Sequence, residues 1–598
     1  MKYNLRTLVH RTRWSAVVAT GIVLTACGSQ SGLNRESQDS LAIQPAAAAP
    51  SAPIKVNQIG YSVAARKVAI VPVDDVASAA SKFDVVRVTD GVTVFSGDLS
   101  APLFWEFSNE TVQQANFSGF REAGSYLVRV AGVGDSYPFE IGDTVLGGVH
   151  KGALKSYYLN RSGMPIEAQY AGQHARAAGH PDTAVIVHES AATKARPAGT
   201  ILSSPKGWYD AGDYGKYIVN SGISTYTLLT AYEHFADFYQ TVVLDIPESA
   251  NQVPDIIDEI KWNLDWMESM QDLDGGVYHK LTLKRFSAMD VQPSDEHGDR
   301  YIIGKSVTAA LDYAAVMAVA SRIMRGFETQ FPGLSARYKD NAIRAFQWAS
   351  DNPTALYQQP DDIKTGEYGD KDASDEFAWA AVELFLLTKD RRYFGEFLKH
   401  DVVPSGDLSW PRVAVLAYAS LINGAEELLS DQSYAELSGK LIAAADTQVK
   451  VFTESAYAVA AEASDFEWGS NSNILNNGFL LLQAYRLTGD TKYRDAAFST
   501  LDYVLGRNAT GYSFVTGYGD LTPLNIHHRP SVADATPVPV PGFLAGGPHT
   551  GRQDKCPYPG DQPATNYADT VCSYSTNEIA INWNAPLVYL LAAKNDLD

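Results

Sequence analysis

Leu387-Thr388-Lys389-Asp390-Arg391-Arg392-Tyr393 and Leu487-Thr488-Gly489-Asp490-Thr491-Lys492-Tyr493 are two copies of one signature, 100 residues apart. Each joins two apolar stretches of helical period. The aspartate is placed to cap the second helix, while Thr-Lys or Thr-Gly ends the first. Both read as αα-hairpins, spaced too widely for a short-period solenoid. A large helical domain built from successive hairpins fits. The same period runs through Ile256, Ile257, Ile260, Leu264 and Met267, with Asp258, Glu259 and Lys261 on the other side.

Before Leu146 the pattern is β. Val68-Ala69-Ile70-Val71 is a short apolar run, Val86-x-Val88 and Val92-x-Val94 flank an Asp90-Gly91 turn, and Tyr126–Val130 and Tyr137–Ile141 add two strands. A small β-sandwich is expected over residues 53–143, followed by a helical domain over 144–598. Residues 28–52, rich in Ser, Gln, Ala and Pro, read as a flexible tether. Residues 1–27 read as a targeting segment: Lys2, Arg6, Arg11 and Arg13 precede an apolar stretch too short to span a bilayer. Its end, Leu24-Thr25-Ala26-Cys27, resembles a bacterial lipobox, which makes Cys27 the lipidated residue; a plain secretory signal is the alternative. Gly28 and Ser29 lack the aspartate of inner-membrane retention, so the expected location is the cell envelope, anchored to the outer membrane.

With 598 residues, 45% of them hydrophobic, the chain can bury a large core in more than one domain. Without the leader it keeps 44 basic against 69 acidic residues, a formal charge of −25. That excess argues against nucleic acid or an anionic membrane surface as partner and is compatible with a neutral ligand. Cys556 and Cys572 either form a disulfide or stay free, and no Cys-x-x-Cys zinc pattern is present.

Three clusters carry candidate chemistry. In Gly207-Trp208-Tyr209-Asp210-Ala211-Gly212-Asp213-Tyr214-Gly215-Lys216-Tyr217 two carboxylates separated by small residues can converge on one water molecule, as the base side of an inverting hydrolase requires; a helix cap or calcium loop is the bland reading. Ile526-His527-His528-Arg529 sets an imidazole and a guanidinium close together, as donors to sugar hydroxyls or, for the His-His pair, as metal ligands. Tyr574-Ser575-Thr576-Asn577-Glu578 precedes an apolar helix; partial burial of Glu578 among aromatic residues would keep it protonated near neutral pH, whereas a surface glutamate would only cap the helix.

Together the clusters resemble glycoside hydrolase family 9, the cellulase family with an (α/α)6 barrel. Asp210-Ala211-Gly212-Asp213 is similar to its base motif, His527-x-Arg529 to its histidine signature, and Tyr567-x-Asp569, Tyr574, Glu578 and Asn584-Ala585 to its acid signature. Asp274–Lys280, Ser374–Phe377, Trp468–Asn471 and Leu501–Gly506 extend the likeness over residues 145–598, and Val56–Tyr61 with Phe117–Phe120 looks like the immunoglobulin-like module of one branch. The resemblance implies Asp213 as general base, Asp210 as its partner in holding the water and Glu578 as general acid, with the working carboxyls about 6.5–9.5 Å apart for inversion. It implies His527 and Arg529 as grips on the sugar. Trp208, Tyr278, Trp468 and Tyr574 are candidates to stack on pyranose faces, or else core residues.

The activity implied is endo-cleavage of β-1,4-glucan in cellulose-like chains by a monomer that needs no cofactor for catalysis. An exo-acting β-glucosidase or glucosaminidase on short oligosaccharides and a non-catalytic glycan-binding lipoprotein are the alternatives. Relatives bind calcium, but its ligands are not placed by the sequence. Zinc, held in some relatives by two cysteines and two histidines, is not expected, because His174, His180 and His188 have no nearby cysteine. Leu521, within the histidine signature, and Arg507-Asn508 depart from the family pattern; both are expected near the sugar-binding segment and leave the exact substrate choice open, though not the acid and base.

Overall fold

The computed structural model describes residues 51–534 and 536–597. The targeting segment, Cys27 and nearly all of the tether lie outside the described residues.

The N-terminal module is a β-sandwich. One sheet runs Gly60–Tyr61, Phe139–Ile141, Gly124–Val130, Lys82–Arg87 and Thr93–Asp98, and the other is Val68–Pro72, Glu110–Asn116 and Leu103–Trp105. The expected hairpin at Asp90-Gly91 is present, with Phe83 opposite Gly97 and Val85 opposite Phe95. Alternation along the strands buries Tyr61, Phe83, Val85, Phe117, Val128 and Phe139 between the sheets.

Beyond Gly147 the chain is mainly helical. Among the described residues six helices pack into a closed ring in chain order: Ile218–His234, Val307–Met324, Ser374–Thr388, Ala414–Gly424, Ser470–Thr488 and Ile581–Leu597. Each has an outer partner: Asp255–Ser269, Leu334–Asp351, Arg391–Lys399, Asp431–Glu454, Thr491–Val504 and Gly147–Leu159 back the ring. The two layers differ as burial demands. Inner Val307–Met324 is covered nearly all round, whereas outer Leu334–Asp351 buries one face, including Tyr338, Ala342, Ala345 and Ala349.

The two repeated signatures turn outer against inner helix as expected. Asp390 accepts from the Arg392 amide and Asp490 from the Lys492 amide, both at 3.0 Å. Lys389 and Gly489, both left-handed, end the preceding helices.

The sequence reading missed a five-stranded sheet at the barrel mouth, ordered Ile201–Leu202, Val185–Val187, Tyr301–Lys305, Tyr278–Thr282 and Lys216–Tyr217. Strands of two to five residues are too short to declare a period.

Val56-Asn57-Gln58 clamps the module onto the barrel. Asn57 donates to Asp502 (2.9 Å) and Gln58 to the Gly511 carbonyl (2.7 Å), while Gln58 Oε1 accepts from the amides of Asp520 and Leu521. This corrects the expectation for Leu521 and Arg507-Asn508. Leu521 is buried at the module contact, Arg507 donates to Ala458 and Ser499, and Asn508 to the Tyr503 and Tyr512 carbonyls. They hold domains and loops together rather than face sugar.

Cys556 and Cys572 form a disulfide with Cα atoms 6.0 Å apart, across a sequence separation of 16. Replacing both by serine is expected to cost about 3 kcal/mol of stability through the freed loop, read as a lower denaturant midpoint.

Candidate active site

The segment from Gly207 to Tyr217 crosses the barrel mouth and leads into the first inner helix. Its two aspartates differ. Asp210 is 1% exposed and Asp213 8%, so Asp213 is the one better placed to meet water. Asp210 accepts from Asn220 (3.0 and 3.2 Å) and from the Tyr368 hydroxyl (2.7 Å), which occupies both of its oxygens. Burial, and then the charge of Asp213, push it up to about 8, so it carries a proton at neutral pH. Asp213 uses one oxygen, Oδ2, to accept from the Gly215 amide (2.8 Å) and the Tyr217 hydroxyl (3.1 Å). Burial raises its pKa, while Arg529, the Gly215 amide and Tyr217 pull it back.

Glu578 follows the short helix Tyr574–Asn577 in an extended conformation and pairs with His527 in a parallel bridge. Its Oε1 accepts from the Gly212 amide at 3.3 Å, so Glu578 and Asp213 flank one glycine. A Cβ on Gly212 would lie 2.2 Å from the His527 carbonyl oxygen and 3.0 Å from Glu578 Oε1. Only glycine permits that approach. Burial, and then the Asp213 charge, hold the Glu578 carboxyl well above its ordinary value.

The loop that carries Glu578 is braced from below. Asn577 donates to Asp569 (3.1 Å) and to the Asn525 carbonyl (2.7 Å), and Asp569 accepts from the amides of Leu524 and Asn525. Asn584 of the same signature donates to Ala153, Ser156 and Gly542. Its role is to lock the loop to the barrel.

His527 donates from Nδ1 to the Val571 carbonyl at 2.7 Å. Burial lowers its pKa to about 4, so the ring is neutral above that and Nε2 is its acceptor nitrogen. His527 lies 5.8 Å from Tyr574, centroid to centroid, and Tyr574 lies 5.4 Å from Trp468, which is 41% exposed. These three rings form an aromatic row beside Glu578.

Other expectations are corrected. Trp208 is fully buried and donates to Glu259 at 2.7 Å, and Tyr278 is fully buried with its hydroxyl 3.3 Å from Arg196 Nη1; neither can stack on sugar. Arg529 is 6% exposed and gives its donors to backbone: Nη1 to Gly212 (2.7 Å), Nε and Nη2 to Ser287. It holds the catalytic loop instead of gripping substrate. Tyr217, Asn220 and Tyr368 escaped the sequence reading. The first two sit in or just after the aspartate cluster, but Tyr368 is 158 residues from Asp210 and has no local signal.

His174, His180 and His188 each meet a different carboxylate, Asp534, Glu296 and Asp362, at 3.2, 2.9 and 3.2 Å. They form no common site. For calcium, Asp312 and Glu376 are carboxyls raised by burial and then by the charge of neighbouring Asp375, and the three make an oxygen-only donor set. Among the described residues, however, no three His, Cys, Asp or Glu side chains make a metal group, and no catalytic step is routed through one.

A double ring of paired helices, with an aspartate pair and a half-buried glutamic acid meeting at its mouth, defines a glycoside hydrolase. Residues 147–591 match Glycosyl hydrolase family 9 and residues 49–135 match the Cellulase N-terminal ig-like domain. The chain belongs to glycosyl hydrolase family 9. It is 43% identical to the xyloglucan-specific endo-beta-1,4-glucanase BoGH9A of Bacteroides ovatus, over 92% of this chain and 94% of that one. It is 32% identical to Endoglucanase D of Acetivibrio thermocellus, over 90% and 83%. Among solved structures, a Bacteroides ovatus GH9 enzyme superposes with a TM-score of 0.85 at 41% identity, covering 91% of this chain and 99% of the other.

Proposed function

We propose that this endo-β-1,4-glucanase of the cellulase type works by inversion, with Asp213 as base, Asp210 helping to hold the water and Glu578 as acid. The observation that carries the reading is the unequal environment of the two carboxyls flanking Gly212. Burial raises both carboxyls; at Asp213 Arg529, the Gly215 amide and the Tyr217 hydroxyl pull the pKa back, whereas at Glu578 the Asp213 charge adds to burial and holds it well above its ordinary value. The water oxygen attacks the anomeric carbon as its proton passes to Asp213; the carbon–oxygen bond opposite breaks as Glu578 protonates the departing oxygen. Proton exchange with solvent then resets both groups.

BoGH9A, by its name, acts on xyloglucan, which supports a substrate range that includes branched β-1,4-glucan. The lipobox-like Leu24-Thr25-Ala26-Cys27 supports an outer-membrane lipid anchor, and the enzyme acts there as a monomer. The test is the full-length protein in detergent with cello-oligosaccharides, xyloglucan, mixed β-glucans and chitosan oligomers, following product size and anomeric configuration. Products of several lengths, each born as the α-anomer, are expected. β-Anomeric products would overturn inversion, and release of a single short product from every substrate would overturn internal cleavage.

A further inference from the structure

The wall on the base side of the catalytic pair carries an aromatic ring that no motif announced. Residues 283–300 connect strands Tyr278–Thr282 and Tyr301–Lys305 at the barrel mouth. A connection of this length is ordinarily mobile, but here it is fastened along its course. The Ser287 carbonyl accepts from Arg529 at 2.8 and 3.2 Å, and the Val291 carbonyl from the Tyr214 hydroxyl at 2.7 Å. Glu296 lies 2.9 Å from His180, and Arg300 donates to Asp182 at 2.7 Å. Two of these anchors, Arg529 and Tyr214, also border the catalytic loop, so the wall is registered to Asp213.

Phe286 stands on this wall and is 48% exposed. A solitary exposed apolar side chain is unremarkable on a protein surface. This one shares with Asp213, Tyr214, Thr282, Thr365 and Arg529 the lining of one shallow, open depression at the barrel mouth. Its ring lies 5.5 Å from the Arg529 guanidinium, a cation–π contact that braces it. The same guanidinium holds the Gly212 carbonyl, and the Gly212 amide reaches Glu578. Named contacts therefore run in one series: Trp468, Tyr574, His527 beside Glu578, Gly212 and Asp213, Arg529, Phe286.

A β-1,4-glucan presents apolar C–H faces on its pyranose rings, and a fixed, half-exposed aromatic ring is the surface that such a face covers. We propose that Phe286 is a sugar-stacking platform on the base side of the reacting bond, a binding position for a glucose unit apart from the aromatic row of Trp468 and Tyr574, which we take as the platform beside Glu578. This rests on Asp213 and Glu578 being the catalytic pair. With platforms on both sides, a chain bound through its interior gains more contact than one bound by an end, and internal cleavage follows.

The test compares Phe286→Ala, Phe286→Leu and Phe286→Trp in the full-length protein, with cello-oligosaccharides of increasing length and a chromogenic cellobioside. Loss of the ring is expected to raise KM about ten-fold for the longer chains, with kcat nearly unchanged and the short chromogenic substrate unaffected. Phe286→Trp restores the longer chains, and Phe286→Leu, which keeps the apolar bulk without a flat face, behaves like alanine. Equal losses at every length, or no loss at any, overturn the platform. Should the alanine variant fail to fold, the leucine variant carries the same comparison. Glu578→Gln separates the two readings: if it still hydrolyses unactivated substrates the catalytic pair is wrong, and if it is inactive while Phe286→Ala is unchanged, only the platform falls.

Discussion

Replacing Glu578 by glutamine is expected to lower kcat on unactivated cello-oligosaccharides by about 10³- to 10⁴-fold while KM stays within a few-fold. The amide keeps the shape of the side chain and its place beside the Gly212 amide. What it loses is a proton that can be given away. The leaving alkoxide of a glucan needs that proton, whereas dinitrophenolate departs without it, so a dinitrophenyl cellobioside should be cut by the variant at a rate much nearer the parent's. The pH profile gives a second reading. Activity requires Asp213 ionised and Glu578 protonated: it rises as pH climbs through the Asp213 pKa and falls as pH passes the Glu578 pKa, which burial holds well above the ordinary glutamate value. In the glutamine variant the alkaline limb set by Glu578 should vanish. Equal losses on both substrates, or an unchanged alkaline limb, would show that Glu578 is not the acid.

Asp213 and Glu578, the proposed base and acid, stood out in the sequence through motifs that resemble those of family 9, and the structure frames each with neighbours a few residues away. Asp213 receives its amide from Gly215 and its hydroxyl from Tyr217, and Glu578 sits behind the Ser573-capped turn of its own signature. What surrounds them was not legible, because burial is decided by distant chain. Trp208 adjoins the same cluster yet points into the barrel wall against Glu259 of an outer helix. Arg529 has the chemistry of a sugar ligand, but Ser287 and Gly212 reach it first. Tyr368, whose hydroxyl reaches Asp210, lies in an irregular segment with no period to mark it. Two of the αα-hairpins, by contrast, could be read from the repeated Thr-x-Asp turns, since caps act within a few residues; the closed double ring came only with the family resemblance.

Asp213→Asn is expected to reduce kcat by about 10³-fold or more, on activated and unactivated substrates alike. That pattern is opposite to the one expected for Glu578→Gln, because the water must be deprotonated whatever group departs. A small anion such as azide should restore turnover to Asp213→Ala by attacking in place of water, giving a glycosyl azide of inverted configuration. Stability should move the other way. Asp213 is a buried carboxyl whose pKa is raised above 3.8, and its charge also helps to raise Asp210 to about 8. A carboxyl raised on folding contributes stability that is present at low pH and lost as pH rises through its folded value. Asparagine removes one such charge and relieves the other, so the variant should melt above the parent at neutral pH, with a margin that widens through pH 8 and closes in acid. The catalytic site would then be holding two carboxyls together against their own repulsion, a conflict between activity and stability. An inactive variant that melts at or below the parent throughout this range would sink that account of the aspartate pair, and one that still hydrolyses glucan would remove Asp213 from the mechanism.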